Sequence, residues 1–346
     1  MPVCKKGNNA KQVATFLLGA CGSKRTAIIC SLYLVILLLY YNTMFGVTIL
    51  GNNSALPAYD RHPTAQVITL NDRLFLFDCG EGTQMQMNRY KIRRSRIQHI
   101  FISHLHGDHY FGLAGLLTTM SLSDRKAPLH IYAPQDLELI LKLQVMASDS
   151  SLPYDLFFHP IQQEGVLVDE SQFSVSCFKV YHHIDAWGFM IKEKRKPRRI
   201  DAEKVKMYPV IPLPFYEHLQ NGEDYIAPDG MVIKNEEVTY ANTSPKSYAY
   251  CADTIFEPAI AEQIKDVTMM YHEATYLKDL EERAASRHHC TTVQAATIAK
   301  LACTQKLLIG HFSSQYDNDK LYLFEEEAKE VFPNVQLALE GVTYEV

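Results

Sequence analysis

The stretch SHLHGDH, residues 103–109, sets His104, His106, Asp108 and His109 within six positions. It follows the apolar and β-branched run IQHIFI, so a strand is expected to end at Ser103 and a helix to start near Asp108. All four side chains then share one tight turn. Imidazole nitrogens with carboxylate oxygens suit zinc, with manganese or iron as alternatives in such a donor set. A two-metal site, with its ions about 3.5–4 Å apart, needs roughly seven donors, so more are required elsewhere. They stand where three other apolar runs end: His182 or His183 after FSVSCFKVY, Asp253 after KSYAYCA and His311 after KLLIG.

The elements that must position these residues are legible as alternating apolar runs. AQVITLNDRLFLF reads as a hairpin turned at Asn71-Asp72. Strands are expected in IQHIFISH, APLHIYAP, QFSVSCFKVYHH, KSYAYCAD, VTMMYHEA, KLLIGHF and the final VQLALEGVTYEV. Helices are expected over 108–120 and 135–146. Strands alternating with helices predict a single α/β domain with helices on both sheet faces. One excursion, 192–245, opens with KEKRKPRR, is rich in proline and shows little apolar periodicity, which marks an insertion.

Composition narrows the class without naming a substrate. Of 346 residues, 47% are hydrophobic and 21% charged, as in ordinary globular enzymes. The eight cysteines form no CxxC pair, which argues against a disulfide scaffold or a thiolate zinc finger and fits a reducing compartment. A net charge of −5 argues against a uniformly basic nucleic-acid binder, so any RNA contact has to use local patches. Residues 27–41, AIICSLYLVILLLYY, preceded by five basic residues and no acid, have the pattern of a signal anchor. A strand from Phe45 would follow such a span with almost no linker. The favoured expectation is therefore that the protein begins at Met44, that 1–43 is an over-extended start and that the chain is cytoplasmic, with membrane anchoring through 27–41 as the minority alternative.

HxHxDH followed by strand-end His, Asp and His resembles the signature of the metallo-β-lactamase fold. The ordered set LGNNSALP, RHPTAQ, FDCGEGTQ, SHLHGDHYFGLAGLL, HHIDAWGF, YCADT, YHEATY, HHCTTVQAA and GHFSSQY is similar to that of ribonuclease Z, the tRNA 3′-processing endonuclease family, from Val47 to near Val346. The resemblance implies a four-layer αβ/βα sandwich over 44–346 with an inserted flexible arm at about 194–238. It implies two zinc ions per subunit, the first held by His104, His106 and His182, the second by Asp108, His109 and His311, with Asp253 bridging. His182 is preferred over His183 because the family's ligand stands six residues before a glycine, here Gly188. The reaction implied is cleavage of precursor tRNA after the discriminator base, leaving a 3′-hydroxyl.

Physical reasoning about such a centre makes Asp108 the group that orients the attacking water and accepts its proton. Asp78, closing LFLFD, is expected to fix the tautomer of a ligand histidine. By resemblance, His272 stabilises or protonates the leaving oxygen, held by Glu273, and His289 touches substrate phosphate beside a helix start or caps that helix. Phosphate contacts call for cations, and two runs offer them: Arg89, Lys91, Arg93, Arg94 and Arg96, and Lys192, Lys194, Arg195, Lys196, Arg198 and Arg199. The second run opens the arm, where the family grips the tRNA elbow across a homodimer. DNA is not an expected partner. The chain departs from the family pattern at the arm tip, PVIPLPFYEHL, and at Gln315, Ala252 and Asn53. A hydrolase of small phosphodiesters or esters on the same fold is the enzymatic alternative, for which the basic arm would have no use. A membrane-anchored, noncatalytic RNA-binding protein fits poorly with a complete ligand set.

Overall fold

The protein is described by a computed structural model covering residues 45–147, 152–194 and 196–346. The extension 1–43 with its segment 27–41, Met44 and Arg195 lie outside the described residues. Among those described, no helix is long and apolar enough to cross a membrane.

The chain enters along β1 (Phe45–Gly51) and forms the expected hairpin from β2 (Ala65–Leu70) and β3 (Arg73–Phe77). Asn71 turns it at φ 56°, a left-handed conformation that asparagine adopts more readily than most residues. β4 (Ile97–Phe101), β5 (Leu129–Ala133) and β6 (Leu156–Pro160) continue the sheet in parallel. β7 (Gly165–Asp169), β8 (Phe173–Tyr181) and β9 (Asp185–Glu193) are an antiparallel meander that starts the second sheet. The inserted segment contributes β10 (Arg199–Ile200), β11 (Tyr225–Ile226), β12 (Val232–Ile233) and β13 (Thr239–Tyr240). β14 (Ser247–Cys251), β15 (Met269–Glu273), β16 (Lys306–Gly310) and β17 (Val335–Leu337) complete the second sheet in parallel. β18 (Thr343–Glu345) returns to pair with β1.

Two seven-stranded sheets result, ordered β18-β1-β2-β3-β4-β5-β6 and β17-β16-β15-β14-β9-β8-β7. Their inner faces share one core in which Phe45, Phe75, Phe77 and Phe101 meet Phe189, Tyr248, Tyr250 and Tyr271. Full burial of each such side chain stabilises the fold by about 2–3 kcal/mol. The outer face of the first sheet packs the helices Leu113–Leu122 and Asp136–Ala147 through Leu116, Leu117, Met120, Leu137 and Leu141. The second sheet carries Thr292–Leu301 and Tyr322–Lys329. These are the four layers the sequence implied.

Three local expectations need correction. The helix expected over 108–120 is broken into Gly107–Tyr110 and Leu113–Leu122. The cause is a close approach: a Cβ on Gly112 would stand 2.1 Å from the carbonyl oxygen of Gly80. This contact lets Cys79 and the histidine turn exchange two backbone bonds, Cys79 N to His109 O at 2.7 Å and Gly112 N to Cys79 O at 2.9 Å. The final run, read as one strand, is two strands in different sheets, parted by a turn with Gly341 at φ 77°. The insertion, which showed little apolar periodicity, has a core of its own made by Val205, Ile211, Leu219, Tyr225, Ile233 and Val238. β10 and β13 form its neck. Its apolar residues come from short, irregular elements, which leave no period to detect.

Candidate metal centre

The turn after β4 holds His104, His106, Asp108 and His109 at the end of the first sheet. His182 follows β8, Asp253 follows β14 and His311 follows β16, so the same end of the second sheet faces it. Seven donors from two sheets therefore converge, in two nests. One comprises His104, His106, His182 and Asp253, the other Asp108, His109, His311 and Asp253.

In the first nest His106 Nδ1 lies 3.2 Å from His104 Nε2 and 3.1 Å from His182 Nε2. Donors placed tetrahedrally about one zinc at its usual bond length stand about 3.3 Å apart. In the second nest His109 Nε2 is 3.6 Å from Asp108 Oδ2, and His311 Nε2 is 3.4 Å from the same oxygen. Asp253 faces both: its Oδ2 is 3.8 Å from His104 Nε2 and 3.4 Å from His109 Nε2, and its Oδ1 is 3.3 Å from His311 Nε2. His183 belongs to neither nest and instead lies against His288, with ring centroids 3.8 Å apart and the planes tilted by 44°.

The other ring nitrogens are tethered, which fixes which atom points inward. His109 Nδ1 donates to Asp78 Oδ2 at 2.7 Å, and His182 Nδ1 to the His288 carbonyl at 2.8 Å. His104 Nδ1 meets Ser103 Oγ at 3.0 Å and His311 Nδ1 meets Thr275 Oγ1 at 2.9 Å. His109 Nε2 is left buried with no hydrogen-bond partner. What suits it to a cation is its setting, 3.4 Å from Asp253 Oδ2 and 3.6 Å from Asp108 Oδ2.

Asp78 is wholly buried and also accepts from Ser103 N at 2.7 Å, Ser103 Oγ at 2.8 Å and Tyr250 OH at 2.6 Å. It ties the histidine turn to the opposite sheet. Asp78 at φ 55° and His311 at φ 62° both adopt the left-handed backbone, a local strain that the surrounding bonds hold in place.

The electrostatics ask for positive charge. Burial keeps His104 well below the ordinary imidazole range and lowers His182 to about 4, so both are neutral donors. Asp253 and Asp108 stay ionised: burial opposes this, but His311 and His109 outweigh it. His109 is driven well above its usual value, since Asp253, Asp108 and Asp78 overcome its desolvation. Without a cation the carboxylates recruit protons instead, so metal binding is expected to release them.

The geometry alters one pairing expected from sequence. His272 is fully buried, its Nδ1 bonded to the Glu273 carbonyl at 2.7 Å, and it does not reach the cleft. The Glu273 carboxylate holds His289 instead, at 3.0 Å from Nδ1, while accepting from Thr254 N, Thr275 N, Thr275 Oγ1 and Cys290 N. Burial works against charge on His289, but Glu273 outweighs it and pushes the ring up to about 9. Strand alternation held the signal: Glu273 and Tyr271 share one face of β15, so His272 must point to the other. Ser103 and Thr275, which position ligand rings, carried no signal of their own.

The arm cations lie apart from the nests. Lys194 pairs with Asp169 at 2.7 Å and Lys196 approaches Glu193 at 3.9 Å. Arg198 Nε donates to Thr239 Oγ1 at 2.7 Å, and Arg199 sits exposed on β10.

Comparison with known proteins decides the family. Ribonuclease Z of Bacteroides fragilis is 42% identical over 302 residues, which cover 86% of this chain and 98% of that protein. The chain belongs to the ribonuclease Z family. The crystal structure of the short form of human tRNase Z covers 86% of this chain and 98% of its own at 25% identity, with a TM-score of 0.63. The metallo-β-lactamase fold protein YhfI of Bacillus subtilis also superposes with a TM-score of 0.63, at 18% identity over 88% of this chain and 100% of its own. A family model described as Anti-Pycsar protein Apyc1 matches residues 45–196, which include the histidine turn and His182 but not Asp253 or His311. The fold is that of the metallo-β-lactamases.

Proposed function

We propose that this chain is a metal-dependent endoribonuclease that removes 3′ trailers from precursor tRNA, cutting after the discriminator base to leave a 3′-hydroxyl. The observation that carries the reading is the pair of His/Asp nests joined by Asp253, in a chain aligned with ribonuclease Z over nearly its whole described length. The reading includes two zinc ions per subunit, the first on His104, His106 and His182, the second on Asp108, His109 and His311, with Asp253 shared. Manganese or iron would suit the same nitrogen and oxygen donors. It also includes a homodimer in which the arm of one copy, through Lys194, Arg195, Lys196, Arg198 and Arg199, serves the tRNA at its partner's site.

Bound in the nests, divalent cations would acidify water and stabilise charge developing on the phosphate. Asp108 is well held: its Oδ2 accepts from Ala55 N at 2.8 Å, which fixes the carboxylate at the cleft floor. From there it orients the attacking water and accepts its proton. The leaving 3′-oxygen needs a proton in return. His289 supplies it, since its ring lines the cleft and Glu273 both orients and charges it. His272 takes no part in this scheme.

Protein beginning at Met44 and loaded with zinc should cut a precursor tRNA carrying a 3′ trailer and lose that activity in Asp108→Ala. Hydrolysis of small phosphodiesters alone, with the precursor untouched, would make the small-substrate alternative correct.

A further inference from the structure

The cleft over the metal nests encloses about 590 Å³ and is lined by two unlike sets of groups. One set comprises Leu56, Pro57 and Phe111, apolar groups of which Phe111 is 65% exposed. The other comprises Tyr276, His289, Arg283 and Arg287. Arg283 lies in the helix Glu281–Ser286 and Arg287 follows it four positions later, so the two guanidinium groups project from the same side. Arg283 rests over the Tyr276 ring at 5.7 Å, a cation–π contact that holds its charge beside the cleft.

Neither arginine is neutralised, a state shared on the arm by Arg198 and Arg199 at its neck, but these two stand at the metal cleft. Salt bridges among the described residues engage Lys194, Lys196, Lys204, Lys206 and Lys234 on the arm but neither Arg283 nor Arg287. Beyond its neck, over 201–238, the arm holds three lysines against eight carboxylates. It also shows Met207, Leu213 and Ile226 to solvent, each at least 67% exposed. On the arm, cations for a phosphate backbone are therefore concentrated at the neck, in the run 192–199. The catalytic cleft itself offers free cations and an exposed ring, the two kinds of group by which proteins hold a single strand, cations for its backbone and a ring for a base. Glu81 also lines the cleft, which favours a strand held at the arginines.

We infer that Arg283 and Arg287 form a phosphate clamp for the single-stranded RNA end, gripping the phosphodiester next to the scissile one. The inference rests on the endonuclease reading and adds to it a substrate requirement: productive binding uses a second phosphate beyond the one being cut. The arginines position the strand and take no part in proton transfer.

The test uses zinc-loaded enzyme, wild type and the double variant Arg283→Ala/Arg287→Ala, on precursor tRNA and on bis(p-nitrophenyl) phosphate, which has a single phosphate. For the variant on RNA, KM is expected to rise about tenfold or more with a far smaller change in kcat. The slope of log KM against log salt should shrink by about 1.4, the share of two phosphate contacts on a single strand. The loss on bis(p-nitrophenyl) phosphate should be several-fold smaller, and Arg283→Lys/Arg287→Lys should recover most of the KM. Both side chains are exposed, and an unchanged melting temperature will show that the fold is kept. An unaltered KM and salt slope on RNA, or an equal loss on both substrates, overturns the clamp. A wild-type enzyme inert toward precursor tRNA refutes the parent reading, a result distinguishable because it involves no variant.

Discussion

Replacing Asp78 by asparagine isolates the link between the inter-sheet hydrogen bonds and metal affinity. The change is nearly isosteric, and at φ 55° asparagine is as well tolerated as aspartate, so no backbone strain is added. One oxygen can still accept from Ser103 N. The other becomes an amide NH2 facing Ser103 Oγ, Tyr250 OH and His109 Nδ1, three groups that donate to the carboxylate oxygen of the native Asp78. The two hydroxyls can turn and accept instead; the His109 N–H cannot. His109 therefore loses a bond to a charged acceptor, worth about 1.5–3 kcal/mol, and the tautomer that keeps Nε2 free is no longer enforced. Metal affinity should fall about 10- to 100-fold. The assay is zinc competition against a chromophoric chelator, with melting temperatures measured for metal-free and loaded protein. A variant that binds zinc within twofold of wild type, while remaining folded, would refute the idea that Asp78 sets the ligand geometry.

Two further predictions separate roles that adjacent residues could be thought to share. His289→Ala should lower kcat on precursor tRNA by about 10²–10⁴-fold with metal content unchanged, whereas His272→Ala should chiefly lower the melting temperature, because a buried ring is removed from the second sheet. Matching kcat losses would place His272 back in the mechanism. Excising Arg198 to Tyr240 should be tolerated by the fold, since β9 and β14 pair with Lys192 opposite Ser247 and a short Gly-Ser linker can close the gap. The excised protein should lose cleavage of precursor tRNA and keep hydrolysis of bis(p-nitrophenyl) phosphate; equal loss of both would make the insertion a structural part of the domain.

How far the sequence revealed the site depended on how local each relationship was. His104, His106, Asp108 and His109 share one turn, so their spacing alone announced a metal centre. His182, Asp253 and His311 lie far along the chain, yet each closes an apolar run, and strand ends at one edge of a parallel sheet are a foreseeable meeting place. The partner of Glu273 was harder. A neighbouring histidine looked sufficient, and only the alternation of side chains along β15 turns His272 away and leaves room for His289. The broken helix after Asp108 depends on Gly112 meeting Gly80, a contact between loops that no periodicity encodes. The core of the insertion escaped for a related reason: Val205, Leu219, Tyr225 and Ile233 come from separate short elements and touch only once all are folded.

The division of the donors between two sheets has a further consequence for assembly. Four hang from the end of β4 and three from β8, β14 and β16, so neither half owns a complete set. A half-folded chain would offer a cation only part of the set, so tight loading is expected after the sheets have docked on their shared aromatic core. The centre is in this sense a clasp fastened last. Chelation should first loosen the end of the sandwich that bears it, while the packed interior keeps the two halves together.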